Sequence, residues 1–207
     1  MTFGLDILWR RKAAKVAAKG GGKRWIDICT GTSEMAVYLN RLTGEQLVFA
    51  ADFSMEMIRE AAMKEETHQI RFTLADASNL PFSKGTFDLV TLSFATRNIN
   101  VSRKILIERF REFHRILKPG GRFVNLETSQ PPSRLVRRIF HLYVRLTVKR
   151  LGSKISGSKC GYAYLAQTIP RFYNAVELAD IMHQAGFAKV SVQPMLFGVA
   201  AIHKAVK

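Results

Sequence analysis

Five places in this 207-residue chain set a chemically able side chain at the end of an apolar run. The first is Asp27-Ile28-Cys29-Thr30-Gly31-Thr32-Ser33, where an acid enters a turn of small residues and a helical pattern then begins. Asp52 closes the second run, 21 positions after Gly31, and Asp76 closes the third. Arg97 and Asn98 follow the fourth, and Glu127 ends the fifth. A carboxylate accepts several hydrogen bonds, so acids so placed can hold a diol or an amino group.

What would sit on the first turn is narrowed by what the turn lacks. A dinucleotide fingerprint needs three glycines to bring backbone up to a pyrophosphate, and only Gly31 is present. No lysine follows as in a phosphate loop. An acid at the entrance suits a cationic ligand, and a second acid about 20 residues on suits a ribose diol. A nucleoside that is cationic rather than phosphorylated is S-adenosyl-L-methionine. Taken alone, the turn serves equally as an ordinary strand-to-helix connection. The acids after the second and third runs tip the reading towards the cofactor.

The elements that must position these residues alternate. Strands are expected at Arg24–Cys29, Gln46–Ala51, Ile70–Ala75, Phe87–Phe94 and Gly121–Glu127, with helices at about 32–42, 54–64 and 101–117. "FDLVTLSF" is apolar throughout, as a strand buried on both faces must be. Such alternation predicts an α/β, doubly wound, mostly parallel sheet. Ligands in these sheets lie beyond the carboxyl ends of the strands, at the switch point, where all five sites fall. After residue 130 come a long amphipathic segment (133–150), a Gly/Ser-rich loop (152–161) and a helix near 175–185. "AKVSVQP" and "GVAAIHKAV" are joined by a short turn, so they are expected to run antiparallel and bring the strand count to seven. The chain divides into a basic N-terminal helix and Gly linker (1–23), a cofactor-binding α/β core (24–130), a basic lid or substrate region (131–172), and a C-terminal helix and strands completing the same sheet (173–207).

With 47% hydrophobic residues the chain suits one globular domain. Two cysteines make no disulfide framework and suit a reducing cytoplasm. No apolar run is long enough to span a bilayer. The net charge of +16 is unevenly placed. Residues 1–24 carry seven basic side chains against one acid, and residues 131–160 carry eight against none. Two basic segments flanking a near-neutral body suit an anionic surface met by one side of the molecule. Arg134, Arg138, His141, Arg145 and Lys149 recur every three or four positions beside Leu135, Ile139, Leu142 and Leu146, as in an interfacial helix. The same pattern equally suits a lid packed on the sheet. A peripheral place on the inner membrane face is the expectation, with a homodimer left open.

At this point the chain resembles the class I S-adenosylmethionine-dependent methyltransferases, and specifically the ubiquinone/menaquinone biosynthesis C-methyltransferases (the UbiE/MenG type). "TFGLDILWRR" (2–11) is similar to the family's N-terminal "SFGxDxxWRR". "DICTGTSEMA", "DFSMEMIREA", "LADASNLPFSKGTFDLVTLSFATRN" and "RILKPGGRFVNLE" match in turn, as do "YAYLAQTIPRF" and "AVELADIMHQAGF" near the C-terminus. The resemblance implies a Rossmann-like methyltransferase fold and a lipid quinol as substrate. It implies cofactor contacts from Asp27, Cys29, Thr30, Gly31, Thr32, Asp52, Phe53, Met57, Asp76, Ala77 and Phe94. Asp27 would shape the loop or cap a helix. Asp52 would take the ribose hydroxyls, with an N-cap role as the alternative. Asp76 and Ala77 would meet adenine. Phe53 and Met57 would flank the base or pack in the core. Ser33 stands where the family has a second glycine, so it is expected to crowd the cofactor or demand φ < 0. A family segment with a Phe…Tyr-Asp pattern, which would bring a tyrosine over the active site, has no match here.

Carbon methylation needs an electron-rich ring, hence positive charge or donors near a phenolate. Arg97 and Asn98 fit that role after the fourth strand, and Tyr162, Tyr164 and Arg171 would line the quinone pocket. His114 reads as structural, His141 lies on the basic stripe, and His183 and His203 lack a companion acid. No Cys/His spacing implies a metal. The charge keeps an RNA methyltransferase in view, yet few aromatics interleave with the basic residues, so nucleic acid is disfavoured as a partner. A catalytically silent cofactor-binding protein is the remaining alternative.

Overall fold

The computed structural model describes residues 4–148, 168–169 and 172–207. One sheet organises it, built from β1 (Arg24–Ile28), β2 (Leu47–Asp52), β3 (Arg71–Leu74), β4 (Phe87–Ser93), β5 (Leu117–Thr128), β6 (Lys189–Met195) and β7 (Ala200–Val206). The order across it is β3-β2-β1-β4-β5-β7-β6. β1 to β5 run parallel. β7 is antiparallel to both β5 and β6. The doubly wound sheet with its antiparallel last strand is therefore as the sequence predicts. The chain winds from β1 to β3 on one side and returns to β4 on the other, so the switch point lies between β1 and β4.

Helices cover both faces. α1 (Leu5–Ala18) and α2 (Glu34–Arg41) pack on one, burying Trp9, Ala13, Ala14, Ala17, Met35 and Leu39. The alanines let α1 approach the sheet closely. α5 (Arg103–Ile116) and α7 (Ala175–Gln184) pack on the other. Leu106, Phe110 and Phe113 fall at i, i+4 and i+7 on α5, which puts them on its buried face. The helix starts where Ser102 accepts a hydrogen bond from the Ile105 N–H. Phe110, Phe113 and Phe123 then meet with ring centroids 5.2–5.9 Å apart. α3 (Met55–Ala62) follows β2, and its N-cap is Ser54, which accepts from Met57 N–H.

Three differences from the sequence reading matter. A short helix, α4 (Thr96–Ile99), forms directly after β4. β5 begins at Leu117 rather than Gly121, with its register to β4 shifted between Phe87 and Leu89. α6 (Arg134–Tyr143) does not run on to 150 but passes into one π-helical turn, Val144–Val148. Lys149, the 152–161 loop, Tyr162, Tyr164 and Arg171 lie outside the described residues.

The N-terminal helix is held over the sheet by Arg122 of β5. Its guanidinium donates to the carbonyls of Gly20 (2.9 Å) and Gly21 (2.6 Å) in the linker after α1. A Cβ on Gly20 would lie 2.2 Å from that guanidinium, so a larger residue there would have to push it off its carbonyls. Asp88 of β4 clamps the end of the linker, accepting from the N–H groups of Lys23 and Arg24.

Ser33 overturns one expectation. It does not take a negative φ: it sits at φ +70°, the conformation a glycine would supply, and is fully buried. No side-chain cap bond to α2 compensates, and its hydroxyl is a long 3.4 Å from the Thr30 hydroxyl. A left-handed non-glycine residue costs about 1–2 kcal/mol. We therefore expect Ser33→Gly to raise stability by about 1 kcal/mol, or about 2–4 °C in Tm for a chain of this size. Calorimetric melting checks it, and an unchanged or lower Tm would mean that the serine is not strained.

Candidate functional site

The carboxyl ends of β1, β2 and β3 form the first half of the site. Asp27 lies in the middle of the sheet, paired in register with Ala50 of β2 and Thr91 of β4. Its carboxylate is buried and accepts from the hydroxyls of Thr30 and Thr91, both at 2.7 Å. It thus ties the turn to the neighbouring strand. Burial pushes its pKa up to about 6, against the pull of those two hydroxyls and of Arg10. Cys29 follows at φ +52°, and burial with the nearby Asp52 and Asp27 pushes its thiol up to about 12. Such a thiol is no nucleophile at neutral pH. Gly31, at φ +55°, has open space where a Cβ would be.

Asp52 ends β2 across from this turn. Its Oδ2 accepts from the Gly31 N–H at 2.8 Å and its Oδ1 from the Ser54 N–H at 3.0 Å. Ser54, not Asp52, caps α3. Phe53, next to it, is 77% exposed, so it does not pack in the core. Met57 is half-buried. Asp76 after β3 accepts from the Ser78 N–H and pairs with Arg109 at 3.2 Å. Those bonds hold its carboxyl below the usual range. Ala77 is buried beside it. Thr32 points its hydroxyl to Glu34, and its carbonyl accepts from Lys64 at 2.6 Å.

The second half is a cavity of about 680 Å³ beyond β4 and β5. Leu5, Trp9 and Arg10 come from α1, Phe94 and Arg97 follow β4, and Val136, Phe140 and Tyr143 come from α6. Leu196 and Phe197 complete it from the β6–β7 turn. The lining is apolar apart from Asp6, Arg10, Arg97 and a few hydroxyls. Arg97 is buried, and its Nε lies 3.3 Å from the carboxylate of Glu127, which is wholly buried. Glu127 also accepts from the Thr128 N–H at 2.8 Å. Arg97 is therefore paired with a buried acid, not a surface one. Asn98, its neighbour, is exposed and outside the cavity lining.

Phe94, expected at the cofactor, lines this cavity, with its ring 6.2 Å from Trp9 and under the guanidinium of Arg10. Trp9, Arg10, Leu196 and Phe197 were not singled out from the sequence. The only signal for the first two was the "WRR" within the N-terminal motif.

A family model described as the ubiE/COQ5 methyltransferase family matches residues 1–207. A demethylmenaquinone methyltransferase from Thermus thermophilus is 38% identical over 98% of this chain and 91% of its own. A ubiquinone/menaquinone biosynthesis C-methyltransferase UbiE from Desulfotalea psychrophila is 34% identical over all of this chain and 82% of its own. Among solved structures, a SAM-dependent methyltransferase from Aquifex aeolicus superposes with a TM-score of 0.65 at 17% identity, covering 96% of this chain and 91% of that one. That likeness concerns the fold. With the family matched from end to end on a sheet of this order, the chain belongs to the ubiE/COQ5 methyltransferase family.

Proposed function

We propose that this chain methylates a ring carbon of a prenylated naphthoquinol or benzoquinol, with S-adenosylmethionine as the methyl donor. The observation that carries the reading is the joining of two unlike halves: a turn flanked by carboxylates and an apolar cavity whose cations are guanidinium groups. The relatives named for quinone methylation support the acceptor class.

The residues present fit the cofactor. Asp52 has lone pairs beyond its two backbone bonds, enough to accept from a ribose diol. Phe53 offers an unpacked aromatic face to a base. The open space at Gly31 leaves room for the amino-acid end, and Asp27 supplies a buried acid nearby. When bound, S-adenosylmethionine supplies an electrophilic methyl on a sulfonium. Arg97, steadied by Glu127, faces the cavity and donates to a ring oxygen as it gains negative charge. The apolar walls exclude water from the ring.

The cavity also opens beside a surface suited to lipid. Leu135, Ile139, Leu142 and Leu146 run along α6 and its π-turn, and all four are exposed. Arg134, Arg138 and Arg145 are exposed alongside them. No described helix is long and apolar enough to cross a membrane. A basic edge beside an open apolar stripe suits docking on an anionic bilayer, where a prenylated ring resides.

Three tests follow from this reading. With a short-tailed demethylated naphthoquinol, Asp52→Ala should weaken S-adenosylmethionine binding by about 1.5–3 kcal/mol. Arg97→Ala should instead lower kcat about 10²-fold with cofactor affinity kept. Equal cofactor affinity in Asp52→Ala, measured by titration calorimetry, would remove Asp52 from the site, and no methyl transfer by the parent would remove the function.

The second test is pH. Since Asp27 titrates near 6, a bound cation favours its ionised form. Cofactor affinity should fall as pH drops below about 6, by up to tenfold per unit, and Asp27→Asn should flatten that slope. In the unliganded fold the sign is the opposite. A carboxyl raised by burial stabilises while protonated, and its contribution is lost as pH rises through 6. A parent affinity independent of pH would show that Asp27 does not sense the cofactor.

Third, the protein should float with anionic vesicles at low salt and be released at high salt, since each Lys or Arg contributes on the order of 1 kcal/mol at such a surface. Changing Arg134, Arg138 and Arg145 together to Gln should abolish flotation without changing Tm. A parent that ignores anionic vesicles at low ionic strength would end the docking proposal.

A further inference from the structure

The cavity holds a second guanidinium whose surroundings go beyond helix packing. Arg10 rises from α1 with its side chain 18% exposed. Three contacts fix it. Nη1 donates to the Asp6 carboxylate at 2.9 Å, and Nε donates to the Ser93 hydroxyl at 3.4 Å. Its Cζ lies over the Phe94 ring, 5.0 Å from the centroid. Ser93 ends β4 and Phe94 follows it, three residues before Arg97. Phe94 is held at φ +56°, with its N–H bonded to the Leu126 carbonyl at 2.8 Å. A left-handed phenylalanine is costly, and such strain gathers where a site needs a side chain aimed. Here it aims a ring under a cation at the cavity wall.

No hydrogen bond to Nη2 of Arg10 is formed among the described residues. A guanidinium carries five donors in a planar fork, and two are spoken for here. The remaining edge belongs to a side chain that lines a mostly apolar cavity, where an oxyanion is held more strongly than in open water. A 1,4-quinol carries its two oxygens at opposite ends of the ring, and the cavity carries two guanidiniums. Arg97 is anchored by Glu127 of β5, and Arg10 by Asp6 on α1.

We propose that Arg10 is a second acceptor-binding residue, donating to the ring oxygen that Arg97 does not reach and favouring its ionised form. This assignment rests on the quinol reading above for its substrate. The hydroxyl proton leaves to solvent, the oxygen keeps the electron pair, and the charge spreads into the ring, where it makes a carbon nucleophilic. Trp9 and Phe94, whose rings lie 6.2 Å apart in the lining, give the ring apolar contact while Arg10 fixes its rotation.

The test uses 1-naphthol, a ring with one ionisable hydroxyl, bound to the whole protein and titrated by difference absorbance between naphthol and naphtholate. The charged and titratable groups facing the cavity are Asp6 and Arg10 of α1, Arg97 of α4 and Tyr143 of α6. Bound to the parent, naphthol should ionise at least about one pH unit lower than free. Arg10→Gln should return it nearly to the free value, and Arg10→Lys, which keeps the charge but not the fork, should retain part of the shift. In parallel, Arg10→Gln should lower kcat with the short-tailed quinol about 10²-fold at saturating cofactor. The proposal is overturned if the parent does not bind naphthol, if binding leaves its ionisation unmoved, or if Arg10→Gln shifts it as the parent does. Where Arg10→Gln fails to fold, Arg10→Lys decides: a shift equal to the parent's overturns the role of the fork. An Arg10-dependent shift without methyl transfer to any quinol would leave this site standing and end the quinol reading. Methyl transfer without the shift would end the assignment of Arg10 alone.

Discussion

The buried carboxylate of Asp27 is the constraint on which the site depends. It sits between β2 and β4 at the switch point, where strands diverge and a crevice must open. Two threonine hydroxyls answer it, one from the turn it leads into and one from β4. Those bonds fasten the turn to the sheet. They do not offset the whole cost of burial, as the raised pKa shows. A buried acid with part of its charge unanswered is a poor stabiliser but a good receiver of a cation. Arg10, which also pulls on this acid, lines the neighbouring cavity. One electrostatic centre therefore bears on both halves of the site.

Backbone strain follows the same geography. Among the described residues, the non-glycine positions with positive φ are Cys29, Ser33, Phe94, Leu196 and Phe197. The first two shape the cofactor turn, and the last three line the cavity. Each costs on the order of 1–3 kcal/mol, and such residues persist only where their surroundings hold them. Ser33 is held by burial, Phe94 by its bond to Leu126 and by Trp9. The rest of the sheet, with phenylalanines packed on α5 and parallel strands buried on both faces, supplies the rigidity against which these positions can be bent.

The parts of the site legible in the sequence are those that the sheet places by its own geometry. A parallel strand delivers the residue after it to one edge, so Asp27, Asp52, Asp76, Arg97 and Glu127 could be ordered along that edge from apolar runs alone. Residues off the sheet were not legible in this way. Trp9 and Arg10 reach the cavity because Arg122 fixes the linker behind α1 by bonding to Gly20, 102 positions before it, and no periodicity encodes so distant a bond. Leu196 and Phe197 depend on a tight β6–β7 turn with left-handed backbone. Asn98 reads as a partner to Arg97 in a linear motif. The short helix α4 separates them, because adjacent helical residues lie about 100° apart and only one can face inward. For Ser33 two outcomes were open, a crowded cofactor or a negative φ, and the buried turn excludes the second because it holds the serine in a glycine's conformation.

α6 has two apolar stripes rather than one. Val136, Ile139, Phe140 and Tyr143 line the cavity, while Leu135, Leu142 and Leu146 lie outside its lining and stay exposed at 47–68%. A lid that only packed on the sheet needs the first stripe and gains nothing from the second, since each exposed leucine forgoes part of the about 1.5–3 kcal/mol that full burial supplies. The inner stripe meets the ring end of the site. The outer one shares its helix edge with Arg134, Arg138 and Arg145. On the reading proposed, the two stripes are one continuous apolar path turned around a single helix. A prenyl tail can then stay in the bilayer against the outer stripe while its ring passes the inner one, and no long stretch of tail has to enter water for the ring to reach Arg97. The charge imbalance fits that same proposal, because a helix lying on anionic lipid can carry cations at its edge and has no use for acids there.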